Sequence, residues 1–441
     1  MSHRQGGSMT VGIVGLGYVG LPLAVAFAEA GERVIGVDTS VAKVASIRRG
    51  ESYIEDIPSE QLAAVRSHLE ATTRTSRLAL ADAIIIAVPT PLTANREPDL
   101  GPLLAAAQSV SDVLQAGQLV VLESTTYPGT TRERLLPILE ETGLQAGVDF
   151  HLAFSPERVD PGNEKFALAN TPKIIGGLTP ACAAKAEGLY GRVCESIVPV
   201  STPEVAEMAK LLENIFRSVN IALVNELGML AERMDVDIYE VIDAAATKPF
   251  GYMRFEPGPG MGGHCLPVDP FYLSWKAREY DFSTEFIELA GKVNQNMPYV
   301  CVERAERALN ENGKAVRGSK IAILGVAYKP AVGDIRESPS LKIIERLQSL
   351  GGEVVYHDEF VPELPKYGLA NTPLDAALEG ADIALIVTAH PGIDHNAIAA
   401  QVPTVDYRGV TRTTRAAARP PMEMAVLPKR DNEIEPTEVA A

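Results

Sequence analysis

Short apolar runs, most of them closed by glycine or an acidic residue, recur along the first third of the chain. Thr10-Val11-Gly12-Ile13-Val14-Gly15, Arg33-Val34-Ile35-Gly36-Val37-Asp38, Ala83-Ile84-Ile85-Ile86-Ala87-Val88 and Leu119-Val120-Val121-Leu122-Glu123 each read as a buried parallel strand. Between the first two, Leu21 to Ala30 has a helical pattern that Gly31 stops. Strands alternating with helices predict a doubly wound α/β sheet. The pattern changes at Pro203. From there to Leu230 the chain runs without proline, and without glycine except Gly228, which reads as one long helix. Such a helix is expected to join two domains and pack against a partner. An α/β pattern returns with Lys320-Ile321-Ala322-Ile323-Leu324-Gly325, Glu353 to Asp358, and Ile383 to Val387.

Composition narrows the class. At roughly 100–200 residues per domain, 441 residues suggest two or three domains. A charge of -17 argues against a general nucleic-acid or anionic-membrane surface, but leaves room for a local basic pocket. Four cysteines without a CxxC pair make a structural zinc site unexpected and suit a reducing cytoplasm. No apolar run is long enough to span a membrane. Residues 1–8 read as a flexible leader and 418–441, rich in proline and charge, as a disordered tail.

Gly15-Leu16-Gly17-Tyr18-Val19-Gly20 follows a strand and opens a helix. Gly15 allows the tight turn, Gly17 lets the backbone approach a pyrophosphate, and Gly20 allows close helix–strand packing. The helix N-terminus offers free N–H groups to the phosphates. Asp38 ends the next strand, where a carboxylate accepts from ribose hydroxyls and repels a 2′-phosphate, so NAD is expected over NADP. Gly12 and Gly36 are expected only to permit packing. The second α/β unit lacks GxGxxG and is expected to bind something else. The predicted fold is therefore two Rossmann-like doubly wound α/β domains joined by a long central helix. The expected boundaries are 9–202, 203–300 and 316–417.

Five glycines between Gly251 and Gly263, with Pro257 and Pro259, cannot form regular structure; they make a tight loop whose amides can face a ligand's phosphates. Cys265 follows, in a setting where a thiol can be partly ionised and reachable. Asp269 lies four residues on and could act on a proton or a water. Cys182, Cys194 and Cys301 read instead as small buried hydrophobes. Lys210 and Asn214, spaced i,i+4 on the long helix amid apolar neighbours, read as a buried functional pair rather than a solvated lysine and a surface amide.

The chain resembles the UDP-glucose/GDP-mannose dehydrogenase family over about residues 9–415. The resemblance rests on Gly15 to Gly20, Val88-Pro89-Thr90-Pro91, Glu123-Ser124-Thr125, Phe154-Ser155-Pro156-Glu157-Arg158, Lys210 to Asn214, Gly258 to Asp269, and Gly325 to Lys329 with Asp334 to Pro339. It implies two NAD-dependent oxidations at one carbon, turning a sugar C6 alcohol into a carboxylate. Cys265 would hold the aldehyde as a thiohemiacetal and then a thioester. Lys210 would stabilise the oxyanion, and Asp269 with a water would take the alcohol proton. Asn214 would hold that geometry, Glu157 would act as acid/base in thioester hydrolysis, and Thr125 would position water. A covalent adduct stays in place while NADH is exchanged.

The resemblance also implies NAD contacts at Gly15, Gly17, Tyr18, Val19, Gly20, Asp38, Pro89, Thr90 and Glu123, with Arg336 reaching NAD from the second unit. Substrate contacts are implied at Phe154, Arg158, Lys210, Asn214, Tyr252, Arg254, Phe255, Gly258, Gly262 and Lys329. Val268 stands where UDP-glucose enzymes usually carry lysine, and His264 precedes the cysteine. Gly-Gly-His-Cys with Val-Asp looks like the N-acetylhexosamine branch, so UDP-N-acetylglucosamine is the expected substrate. His264 itself is expected to pack or to bond backbone rather than to catalyse. UDP-glucose and UDP-N-acetylmannosamine are the alternatives within this chemistry. A two-electron hydroxy-acid dehydrogenase and a silent UDP-sugar-binding protein are the alternatives outside it. A homodimer or higher homo-oligomer built on the long helix, in the cytoplasm, completes the expectation.

Overall fold

The computed structural model describes residues 7–54, 57–93, 95–159, 165–263 and 266–411. The expected tail, most of the expected leader, His264 and Cys265 lie outside these residues. An eight-stranded sheet forms the N-terminal part, in the order β3-β2-β1-β4-β5-β6-β7-β8. Its strands are β1 (Thr10–Val14), β2 (Arg33–Val37), β3 (Leu69–Thr72), β4 (Ala83–Ile86), β5 (Leu119–Leu122), β6 (His151–Phe154), β7 (Lys173–Gly177) and β8 (Ile197–Val200). All neighbours are parallel except β6 and β7. Ile13, Ile85 and Val121 pack on one face and Val14, Ile84, Ile86, Val120 and Leu122 on the other. Burial on both faces is why these strands are continuously apolar.

The long helix runs Pro203–Arg233. It starts where the pattern places it: Thr202 accepts from the Val205 N–H, and Pro203 occupies the first turn, where no N–H is needed. It passes through Gly228, whose missing side chain leaves room for Pro257. A second long helix, Glu285–Glu311, packs along it. Buried amides join the two: Asn225 Nδ2 donates to Asn294 Oδ1 at 3.0 Å, and Asn294 Nδ2 donates to the Ser218 carbonyl at 3.0 Å.

A four-stranded parallel sheet follows, ordered β10-β9-β13-β14, from β9 (Lys320–Leu324), β10 (Glu353–His357), β13 (Ile383–Ile386) and β14 (Thr404–Asp406). A small hairpin of β11 (Glu363–Leu364) and β12 (Leu369–Ala370) lies beside it. This sheet repeats the first crevice. Gly15 N donates to the Val37 carbonyl and Gly325 N to the His357 carbonyl. Asp38 accepts from the Leu16 amide, and Asp358 from the Val326 amide. In each half the strand order reverses beside the glycine, and ligands bind in the crevice beyond the strand ends there.

No described helix is long and apolar enough to cross a membrane. Among the described residues no group of His, Cys, Asp or Glu could hold a metal ion. Cys182, Cys194 and Cys301 are free and buried, as small hydrophobes.

Candidate active site

The fingerprint turn has a shape that suits a dinucleotide. A Cβ on Gly15 would stand 2.5 Å from the Ala87 carbonyl oxygen, with φ at +94°. A Cβ on Gly20 would stand 1.8 Å from the Gly15 carbonyl oxygen. Gly17, by contrast, has nothing within 4 Å of where a Cβ would be, which leaves space for a pyrophosphate at the start of helix Gly20–Glu29. Gly12 and Gly36 abut the side chains of Leu78 and Leu16 and serve packing. Asp38 is buried; one oxygen accepts from Leu16 N at 2.9 Å and the other from Ser40 N at 2.8 Å. A carboxylate has lone pairs left for ribose hydroxyls after these bonds. Tyr18 is exposed at the turn, and the Arg336 guanidinium lies over its ring, 4.7 Å from the centroid. Arg336 thus reaches the fingerprint from the second sheet, while Asp334 pairs with it at 2.6 Å.

Three segments meet at the other end of the crevice. Thr90 Oγ1 donates to the Thr125 carbonyl at 2.7 Å, which ties the loop after β4, with its Pro89, to the loop after β5. Tyr272, fully buried, donates its hydroxyl to the Thr90 carbonyl at 2.8 Å. Tyr272 belongs to helix Asp269–Ala277, so that helix is pinned to the cofactor loops. The first residue of the same helix, Asp269, is 2% exposed. Asn214 Nδ2 donates to Asp269 Oδ2 at 2.5 Å. Burial pushes the Asp269 carboxyl up to about 6, against the opposing pull of the Lys210 ammonium and the Asn214 amide. Lys210 and Asn214 are themselves buried on one face of the central helix. The expected pair is therefore assembled with its expected carboxylate.

One turn back on that helix, Glu207 is fully buried. It accepts from the Gly129 and Thr131 amides at 2.6 and 2.9 Å and from the Thr131 hydroxyl at 2.6 Å. Burial raises its carboxyl to about 6. Glu207 thereby fastens the segment that carries Thr125 to the helix that carries Lys210.

The glycine loop closes the site from the second sheet. A Cβ on Gly262 would stand 2.6 Å from Tyr328 Cβ, and Gly263 N donates to the Arg336 carbonyl at 2.9 Å. Gly258 N donates to Asn225 Oδ1 at 2.8 Å, and the Arg408 guanidinium lies 3.0 Å from the place of a Gly258 Cβ. Lys329 lies beside the Tyr328 ring. Phe255 packs edge-on against Phe216 of the central helix, and Tyr252 is exposed. Arg254 is held by Asp243 and Glu256 on the surface. Arg158 pairs with Glu213 at 2.7 Å and donates to the Pro172 carbonyl at 2.6 Å.

Two expectations are revised. The Phe154 ring is 1% exposed and lies in the core with Leu122 and Ile174, so only its backbone can meet a substrate. The Glu123 carboxylate is likewise turned inward, where it takes the Tyr190 hydroxyl and pairs with Lys173 at 3.0 Å, so any cofactor contact falls to its backbone. Lys173, Tyr190, Glu207, Tyr272 and Arg408 escaped the sequence reading. The legible signals were a lysine opening the apolar strand Lys173-Ile174-Ile175 and an arginine in Asp406-Tyr407-Arg408-Gly409 after the last strand. The others carry no local signal.

A dinucleotide crevice, a buried Lys–Asn–Asp cluster beside it, and a second crevice facing both define a nicotinamide-linked dehydrogenase with two nucleotide-binding sheets. The chain matches the UDP-glucose/GDP-mannose dehydrogenase family in all three of its parts: the NAD binding domain over residues 9–194, the central domain over 204–296 and the UDP binding domain over 322–413. It belongs to that family, and is an NAD-dependent UDP-sugar dehydrogenase. It is 39% identical over 387 residues to UDP-N-acetyl-D-mannosamine dehydrogenase of Pyrococcus horikoshii, covering 87% of this chain and 90% of that protein. It is 34% identical over 384 residues to UDP-N-acetyl-D-glucosamine 6-dehydrogenase of Pseudomonas aeruginosa, covering 86% and 90%. Among solved structures, the P. horikoshii UDP-D-ManNAc dehydrogenase superposes with a TM-score of 0.85 at 36% identity, over 93% of this chain and 97% of that one. A UDP-glucose dehydrogenase from Pyrobaculum islandicum superposes with a TM-score of 0.83 at 30% identity, over 92% and 96%.

Proposed function

We propose that the chain oxidises the C6 alcohol of a UDP-N-acetylhexosamine to the uronic acid in two steps, holding the half-oxidised sugar on Cys265. The observation that carries this reading is the buried cluster of Lys210, Asn214 and Asp269 at the head of the helix that follows the Cys265 loop. Bound NAD supplies the hydride acceptor for each step. Asp269, through a water, takes the alcohol proton as the first hydride leaves, and its raised carboxyl suits a base near neutral pH. The Cys265 thiol adds to the aldehyde, giving a thiohemiacetal whose oxyanion Lys210 stabilises. As the second hydride leaves, the thiohemiacetal hydroxyl loses its proton to the same water, and a thioester remains. Water placed by Thr125 and deprotonated by Glu157 attacks it, the C–S bond breaks, and acid and thiol are released. Asn214 keeps Asp269 oriented throughout. The amides of Gly260, Met261 and Gly262, with Lys329 and Arg408, face the UDP phosphates.

Two readings part at the sugar. The Gly-Gly-His-Cys and Val-Asp sequence supports a UDP-N-acetylhexosamine, of which UDP-N-acetylglucosamine is the first reading. The higher identity to the mannosamine enzyme, 39% against 34%, favours UDP-N-acetylmannosamine as the second reading. Cytoplasmic supply of a uronic acid for surface polysaccharide accords with either. A panel of both N-acetyl sugars and UDP-glucose, with NADH counted per product, separates them. Two NADH per sugar are expected, with UDP-glucose the poorest substrate. One NADH per sugar would place the chain among two-electron hydroxy-acid dehydrogenases, and UDP-glucose turned over as well as the others would overturn the N-acetyl assignment. Cys265→Ser is expected to stop acid formation with NAD affinity unchanged.

A further inference from the structure

Beneath Glu157 lies a charge cluster that no step above uses. Lys173 opens β7, and its side chain is 3% exposed. Its ammonium is 3.0 Å from Glu123 Oε1 and 3.9 Å from Glu157 Oε2. The Glu123 carboxylate is fully buried, and the Tyr190 hydroxyl donates to it. The 3.0 Å contact is an ion pair rather than a well-angled hydrogen bond, and among the described residues neither Lys173 Nζ nor Glu123 Oε2 has a hydrogen-bond partner. A buried ammonium with undirected protons is costly unless a second anion shares it. The second anion here is Glu157. Its Oε1 is already fixed by the Val159 amide at 2.5 Å, which leaves Oε2 turned toward Lys173.

We propose that Lys173 is a positioning residue for thioester hydrolysis: it anchors Glu157 from below, with Glu123 and Tyr190 holding Lys173 in turn. This rests on the reading of Glu157 given above. Glu157 takes one proton from the attacking water, the oxygen bonds to the carbonyl carbon, and the C–S bond breaks. The C–S bonding pair leaves on the Cys265 sulfur, Lys173 keeps its proton throughout, and nothing is oxidised or reduced. The cluster therefore bears on the last step alone, after both hydrides have left.

The test replaces the buried pair as a unit, Glu123→Gln with Lys173→Met, so that no lone charge is left inside. Glu123→Gln with Lys173→Gln, an amide pair able to bond to itself, serves where methionine is not accommodated. The whole enzyme is mixed with UDP-N-acetylhexosamine and NAD, NADH is followed, and quenched protein is weighed by mass spectrometry. The expected result is a first burst of about two NADH per site, then turnover slowed by about a hundredfold with the uronyl adduct accumulating on the protein. Lys173→Arg, which keeps the cation, is expected to restore adduct-free turnover. Turnover of the neutral pair at the normal rate without adduct would overturn the proposal, as would loss of the burst itself in folded, NAD-binding protein. Glu157→Gln is run beside it and should show the same adduct; if it turns over normally, the assignment of Glu157 falls first and that of Lys173 with it.

Discussion

Asp269 shows how one carboxyl is prepared by its surroundings. Desolvation raises it from 3.8 to about 6, and Lys210 and Asn214 restrain the rise. A carboxyl raised in the folded chain contributes most to stability below its unfolded value and loses that contribution as pH rises through the folded value. Above pH 6 the ionised group therefore costs the fold on the order of 2–3 kcal/mol. Asp269→Asn is expected to raise the melting temperature at pH 7.5, with the advantage shrinking between pH 6 and pH 4, while activity is lost. The acidic limb of kcat/KM should fall near pH 6 in the parent. Lys210 pulls that carboxyl down, so Lys210→Met should move the limb upward; a limb that stays fixed or moves to lower pH would contradict the assignment. The pairing of Lys210 with Asn214 was legible from i,i+4 spacing in an apolar helix. A lysine at the head of the apolar strand Lys173-Ile174-Ile175 was a visible signal, but its partners Glu123 and Glu157 were not, because nothing in that segment reveals which strand will lie opposite.

At the scale of elements, the fingerprint glycines separate folding from binding. A methyl group on Gly20 meets the Gly15 carbonyl at 1.8 Å, whereas one on Gly17 meets nothing. Gly20→Ala is expected to destabilise the chain by about 2 kcal/mol or more, since the obstacle is backbone. Gly17→Ala should leave the melting temperature within a degree or two but weaken NAD binding by about tenfold or more, read by calorimetric titration. Equal effects on melting at the two positions would contradict the division. Strands β1, β2, β4, β5, β9, β10 and β13 were legible as short apolar runs, most of them ended by glycine or acid. Strand β3 reads Leu-Glu-Ala-Thr and β8 Ile-Val-Pro-Val, and neither has an apolar run long enough to stand out. The helix Glu285–Glu311 was hidden by Pro298 within it, since proline in a sequence reads as a stop.

For the whole molecule, the central helix leaves a second face open. Val205, Met208, Leu212, Phe216, Leu223, Leu227, Leu230 and Met234 recur at helical spacing, and Leu212, Leu223 and Leu230 are 62%, 52% and 51% exposed. Phe286 and Leu289, at the start of the other long helix, add to the exposed apolar surface. A stripe of this length on a water-exposed helix marks an interface, and we propose a second copy of the chain as its partner. Sedimentation at micromolar concentration should give at least a dimer, and Leu223→Asp with Leu230→Asp should shift it to monomer; a parent that sediments as a monomer would refute this.

The two crevices carry the same acidic residue at the same station, yet they differ in what already satisfies it. Asp38 is held by the Leu16 and Ser40 amides and by Lys43 at 3.6 Å, whereas Asp358 takes the Val326, Ala327 and Phe360 amides and also the His390 ring at 3.0 Å, deep in the fold. The imidazole is thus a third partner on Asp358 Oδ2, beside the Val326 and Ala327 amides. The later half therefore repeats the strand, glycine and acid of the first but ties its acid to a ring of its own sheet, so the same layout in one chain offers two differently dressed carboxylates.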